Sequence, residues 1–87
     1  MEKYSVVIAA SAVKELEAID RKGDSQRIVR AIQALEKDPR APGCEKLAGY
    51  DGRYRVRVGS YRVVYAVHDT RHVVDLAKIG HRREVYR

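Results

Sequence analysis

The sequence predicts an α+β protein with the order β-α-α-β-β-β, two N-terminal helices packed on one face of a small antiparallel sheet. Three observations predict it: an alternating apolar run at the start, two stretches of helical periodicity after it, and three alternating runs joined by tight turns at the end. Runs of helices beside runs of strands indicate α+β, and an antiparallel sheet covered on one face keeps the other free for function.

The first strand is read over residues 3–9, where Tyr4, Val6 and Ile8 share one face. Ser11 stands where an N-cap is expected, ahead of a helix whose Val13, Leu16 and Ile19 fall at helical spacing. Gly23 is read as the break after it, with Asp24 or Ser25 capping a second helix. That helix carries a stripe of Ile28, Ile32 and Leu35, widened by Val29 and Ala31. Pro39 closes it, because the residue before a proline is pushed away from helical angles. Residues 39–52, rich in Pro and Gly, read as a long loop. Three strands follow, over about 53–58, 61–67 and 72–79. Gly59-Ser60 joins the first two as a two-residue type II′ turn with Gly leading, and Asp69-Thr70-Arg71 makes the next.

A chain of 87 residues has room for one domain, expected over 1–87. All six aromatics are Tyr, whose ring packs while its hydroxyl stays wet or bonded. Cys44 is the lone cysteine, which excludes an intramolecular disulfide and a cysteine-based zinc cluster and fits a reducing cytosol. Glu2 and Lys3 lead straight into the first strand without a signal-peptide pattern, and no apolar stretch approaches membrane-spanning length. A cytoplasmic protein that does not engage membranes is expected. The three His show no metal-ligand spacing, His68 and His72 read as exposed turn residues, and no Gly-rich phosphate cradle or serine nucleophile is recognisable. No metal or cofactor is expected.

The net charge is +6, and it is unevenly placed. Residues 1–44 hold eight basic and seven acidic side chains, residues 45–87 ten and five, and 12 of the 18 basic residues are Arg. An Arg-biased basic half suits a polyanion such as nucleic acid, and equally a merely soluble basic surface. The hairpin register separates these readings further. A two-residue turn sets Val58 opposite Tyr61, Arg57 opposite Arg62, Val56 opposite Val63, Arg55 opposite Val64 and Tyr54 opposite Tyr65. One face then gathers Tyr54, Val56, Val58, Tyr61, Val63 and Tyr65, and the other gathers Arg53, Arg55, Arg57 and Arg62. Like charges directly opposite on a sheet repel, and a sequence keeps such a conflict mainly at a functional site, where a bound anion resolves it. The alternative is that each Arg meets its own acid or spreads into solvent. Asp51, Asp69 and Asp75 lie at turns or on the far strand. The last eight residues bring His81, Arg82, Arg83, Glu84 and Tyr86, which read either as an idle basic tail or as one wall of the site.

The stretch Tyr54-Arg55-Val56-Arg57-Val58-Gly59-Ser60-Tyr61-Arg62-Val63-Val64-Tyr65 resembles the central hairpin of RelE-type toxins of the RelE/ParE toxin–antitoxin superfamily. Gly80 to Arg87 is similar to their C-terminal segment, and Leu35-Glu36-Lys37-Asp38-Pro39-Arg40 with Lys46-Leu47-Ala48-Gly49 also fits, so the resemblance spans almost the whole chain. It implies the toxin of a type II pair: a ribosome-dependent, metal-independent mRNA endonuclease that inhibits translation by letting an RNA 2′-hydroxyl attack the adjacent phosphate. Partners implied are a cognate antitoxin protein, the ribosome and mRNA. By position Arg62 matches the phosphate-binding arginine, and Arg82 and Tyr86 match the arginine and tyrosine of the tail. His81 joins them as the candidate for proton transfer, with Arg53, Arg55, Arg57 and Arg83 binding RNA. Arg55 and Arg57 stand where lysines are frequent, and arginine is a poor general base. Two alternatives accompany this reading: a ParE-like gyrase-inhibiting toxin without nuclease activity, and a non-catalytic RNA-binding module.

Overall fold

The computed structural model describes residues 3–40, 43–47 and 52–81. Strand β1 (Ser5–Ile8) leads through helices α1 (Ala10–Glu17) and α2 (Lys22–Leu35) to β2 (Cys44–Lys46), β3 (Arg53–Val58), β4 (Tyr61–His68) and β5 (Val73–His81). The five strands form one sheet in the order β1-β5-β4-β3-β2.

The α+β class and the helix-covered sheet are as read from the sequence, with two additions. The sheet is mixed rather than purely antiparallel, because β1 lies parallel to β5, with Ser5 beside Val73 and Ile8 beside Leu76. Alternation identifies a strand but carries no direction. The second addition is β2, a three-residue edge strand inside the stretch read as a loop; it pairs Cys44 with Val56, Glu45 with Arg55 and Lys46 with Tyr54.

The helix starts also differ. Ala9, not Ser11, occupies the N-cap of α1, and no side chain caps either helix. Gly23 lies in the first turn of α2 instead of breaking the chain before it. A glycine is tolerated there because the first-turn amides have no intrahelical partner to lose. Asp24 in that turn complements the positive end of the helix dipole.

The core is the layer between helices and sheet. Ala12 of α1 and Ile28, Ile32 and Leu35 of α2 meet Val63, Tyr65 and Val67 of β4 and Val74, Leu76 and Ile79 of β5. β4 and β5, paired with each other, supply the strand side of it. Among the described residues no helix is long and apolar enough to cross a membrane.

A polar latch fixes the segment after α2. The Arg40 guanidinium donates to both carboxylate oxygens of Asp69, at 2.9 and 2.8 Å, and its Nε donates to the Tyr54 hydroxyl at 2.8 Å. Tyr4 donates to Asp69 Oδ1 at 2.7 Å. Beneath them the buried Tyr65 hydroxyl donates to the Pro39 carbonyl at 2.7 Å, and the Tyr54 and Tyr65 rings stack at 5.9 Å. The bonds from Arg40, and after them the bond from Tyr4, hold the Asp69 carboxyl at about 2 instead of its ordinary 3.8. A carboxylate whose pKa is lower folded than unfolded stabilises above the unfolded value and stops doing so as pH falls through the folded one. Asp69→Asn should therefore melt below wild type at neutral pH, with the gap closing between about pH 4 and pH 2. Thermal melts of both proteins across that window check this, and a gap that persists at pH 2 removes the latch from the account.

Candidate functional site

The site begins with the β3–β4 turn. Gly59 sits at φ +60°, the left-handed region that the first position of a type II′ turn demands and glycine adopts without strain. The turn sets the register read from the sequence: Val58–Tyr61, Arg57–Arg62, Val56–Val63, Arg55–Val64 and Tyr54–Tyr65. Val63, Tyr65 and Val67 face the helices and are buried. By alternation Arg53, Arg55, Arg57 and Arg62 lie on the other side.

The four arginines differ in surroundings. Arg62 is only 6% exposed, and its Nη1 donates to the Tyr61 carbonyl at 3.2 Å. Its position is well defined for a side chain of such length. Arg57, directly opposite, is exposed, and no acid among the described residues pairs with it. Arg53 is exposed at the far end of β3. Arg55 departs from the expectation of unmet charge: its Nη2 lies 3.0 Å from Glu45 Oε2. Glu45 lies in the stretch that reads as a loop, and β2 carries this acid onto the face of Arg55. The alternative in which each arginine meets its own acid holds for Arg55, whereas Arg57, opposite Arg62 in the register, meets none among the described residues.

An exposed pair such as Glu45–Arg55 contributes ~0–1 kcal/mol. Glu45→Gln should therefore leave the melting temperature nearly unchanged while removing the negative charge that competes with an anion at Arg55. Binding of single-stranded RNA should tighten, and the slope of log affinity against log salt should steepen by about 0.7, one added phosphate contact. Fluorescence anisotropy over a salt series measures it; an unchanged slope removes Arg55 from the RNA-contacting set.

His81 is corrected by the β4–β5 register. Arg62 pairs with Gly80 and Tyr61 with His81, so His81 belongs to the helix-facing side with Ile79 and Val63. Its ring meets Tyr61 edge to face, with centroids 5.7 Å apart. Arg62 and His81 thus lie on opposite faces, and His81 does not join the arginine row. Arg82, Arg83 and Tyr86 lie outside the described residues.

Two features of this end were not read from the sequence. β1 stops at Ile8, leaving the β5 edge without a strand beyond Leu76, and α1 covers the gap with Glu15. Glu15 accepts from the Ile79 amide at 3.1 Å and from Lys78 Nζ at 2.9 Å. A separation of 63 residues leaves no local signal for the Lys78 contact. At the other end of the open face His68 Nε2 lies 2.7 Å from Asp75 Oδ2. His72 instead packs against Tyr4 at 5.1 Å, at φ +52°. Positive charge is therefore concentrated toward the β3–β4 turn.

A relative from Mycobacterium tuberculosis, Toxin RelE, is 31% identical over 84 residues, covering 97% of this chain and 87% of the relative. The sequence model described as the ParE toxin of the type II toxin–antitoxin system parDE matches residues 6–86. The chain belongs to the RelE/ParE family of type II toxins. It is similar to the RelE of the Pyrococcus horikoshii RelE–RelB complex, with 32% identity, a TM-score of 0.79 and coverage of 91% of this chain and 94% of that one. It is also similar to the isolated Escherichia coli RelE toxin, at 26% identity and a TM-score of 0.79 over 95% of this chain and 90% of that one. The mixed sheet under two helices is thus the RelE fold, and the Arg57–Arg62 hairpin lies at its β3–β4 turn.

Proposed function

We propose that this RelE-type toxin is a ribosome-dependent mRNA endonuclease, and that its arginine face holds the scissile phosphate. The observation that carries the reading is the direct opposition of Arg57 and the buried Arg62 on the helix-free side of the sheet. Two guanidinium groups facing each other with no carboxylate joining Arg57 are most stable around a shared anion.

The reaction needs little else from the protein. A ribose 2′-oxygen forms a bond to the neighbouring phosphorus, and the bond from phosphorus to the 5′-oxygen breaks. The products are a 2′,3′-cyclic phosphate and a 5′-hydroxyl. Negative charge grows on the non-bridging oxygens during attack, and donors already aimed at them lower the barrier without reorganising. Arg62 and Arg57 supply those donors. The 2′-hydroxyl proton leaves to a base, and a proton reaches the 5′-oxygen. Arginine does not serve as the base, and His81 faces the other side of the sheet. Glu84 or Tyr86 is therefore assigned the base, Arg82 assists the leaving oxygen, Tyr86 stacks on the nucleotide, and Arg53, Arg55 and Arg83 bind flanking RNA. This scheme uses no metal.

The solved relatives include RelE–RelB complexes from four organisms besides the isolated toxin. By that likeness the partner of this chain is an acidic antitoxin that docks by charge on the basic toxin. Translation inhibition places it in the cytoplasm with ribosomes.

The ParE name of the matching sequence model favours a second reading, gyrase inhibition without cleavage. A translation extract and a supercoiling assay separate the two. Cleavage of mRNA at defined positions only when ribosomes are present supports the nuclease. Gyrase inhibition with intact mRNA supports the second reading, and RNA binding without either effect leaves a plain binding module.

A further inference from the structure

The end of the sheet at the β3–β4 turn carries more than the Arg57–Arg62 pair. On the helix side, the Arg27 guanidinium of α2 lies over Gly59, with Nη1 3.6 Å and Cζ and Nη2 3.9 Å from where a β-carbon would stand. No acid among the described residues pairs with Arg27. Arg57 leaves the open side of the same turn in the same condition. One turn is thus flanked on both faces of the sheet by guanidinium groups without a carboxylate.

Two residues past Gly59, Tyr61 forms part of a cavity of about 230 Å³ that Glu15, Ala18, Ile19, Ile79, Gly80 and His81 complete. Pockets for drug-sized ligands start near ~300 Å³, so this volume suits a single ring system. Its walls suit one too. Tyr61 and His81 present rings at 79° to each other, and Ile19 and Ile79 add apolar surface. The Glu15 carboxylate is already met by Lys78 and by the Ile79 amide, one bond on each oxygen. Each oxygen keeps a lone pair, so Glu15 offers an acceptor with its charge balanced.

We propose that this end of the sheet is a nucleotide subsite on the helix side, reached around the β3–β4 turn from the arginine face, in which Arg27 holds a phosphate and the cavity beside Tyr61 receives the attached base. The proposal rests on the nuclease reading and extends it to a nucleotide flanking the cut. An acceptor in the cavity favours a base with an exocyclic amino group over uracil, which has none. Cytosine and uracil share ring size but invert the C4–N3 edge, an amino donor with a bare N3 in cytosine against a carbonyl with N3–H in uracil, so the pair tests that edge apart from ring size.

Labelled hexacytidylate and hexauridylate, titrated with the full chain over a salt series, test it. Wild type should bind hexacytidylate more tightly. Arg27→Ala should lower the salt slope by about 0.7 for both oligomers, since each phosphate contact on single strands contributes that much. Ala18→Leu fills the cavity from an exposed position at the end of α1, and so spares the core. It should weaken hexacytidylate binding by roughly ten-fold, as loss of one stacked base does, and erase the preference with the slope unchanged. Arg71→Ala, in the turn at the opposite end of β4, should bind as wild type. A wild-type slope for Arg27→Ala, or wild-type binding by Ala18→Leu, overturns the subsite. If Arg57→Ala still lowers the slope in that case, the arginine face stands without it; if no variant lowers the slope, both readings fall together.

Discussion

Arg62→Ala should lower the rate of ribosome-dependent mRNA cleavage by about 10²–10³, the loss that follows removal of one donor aimed at charge developing in a transition state. The expectation follows from three properties of Arg62. It is buried to 6% exposure, its Nη1 is tied to the Tyr61 carbonyl, and it opposes Arg57. Its guanidinium is therefore oriented before substrate arrives, and orientation in advance is what makes such a donor effective. Arg57→Ala, at an exposed and less constrained side chain, should cost less. Arg62→Lys keeps the charge but loses the planar fork that grips two phosphate oxygens, so it should recover only part of the rate. Single-turnover cleavage on programmed ribosomes gives these rates, and a thermal melt of each variant separates lost chemistry from lost fold. A folded Arg62→Ala protein cutting within about three-fold of wild type would falsify the assignment, because a donor at the scissile phosphate is worth far more.

The parts of this site legible in the sequence are those set by short-range geometry. A two-residue turn opening with Gly fixes which residues oppose one another, so the Arg57–Arg62 pair and the division of β3 and β4 into apolar and basic faces followed from counting. Where register depends on something longer, counting fails. A bulge between Val64 and Tyr65 sets Lys78 beside Val64 but Leu76 beside Tyr65, so Ala77 has no partner on β4. The face of His81 depends on that irregularity, and local alternation does not report it. The three-residue β2 is too short to show a period, and its neighbours are the Pro and Gly that announce a loop, so Glu45 was not seen as a partner for Arg55. The parallel direction of β1 and the cover that Glu15 gives the β5 edge are tertiary outcomes of where the helices lie. Charge patterning located the basic face of the hairpin, and tertiary pairing decided that Arg55 meets an acid there.

The stripe read on α2 supplies a sharper test, because it grouped two adjacent residues that the fold separates. Ile28 is fully buried against the β4–β5 core, whereas Val29, one position on, is 39% exposed. A helix turns about 100° per residue, so neighbours on an amphipathic helix have unlike environments even when both are apolar. Ile28→Ala removes buried methyl and methylene groups and leaves a void in a layer with few residues to relax into it, at a cost of ~2–5 kcal/mol. In a protein of 87 residues each kcal/mol moves the melting temperature by roughly 4–8 °C, so the variant should melt some tens of degrees low or fail to fold at 37 °C. Val29→Ala should change stability by no more than about 0.5 kcal/mol, since its side chain leaves water only in part. Urea titrations of both variants make the comparison. Equal losses from the two would mean that α2 is rotated from the orientation described, and Arg27, one residue before Ile28, would then no longer lie over Gly59. The stability of the helix layer and the geometry of the turn that carries the arginines are thus tied to a single helix rotation.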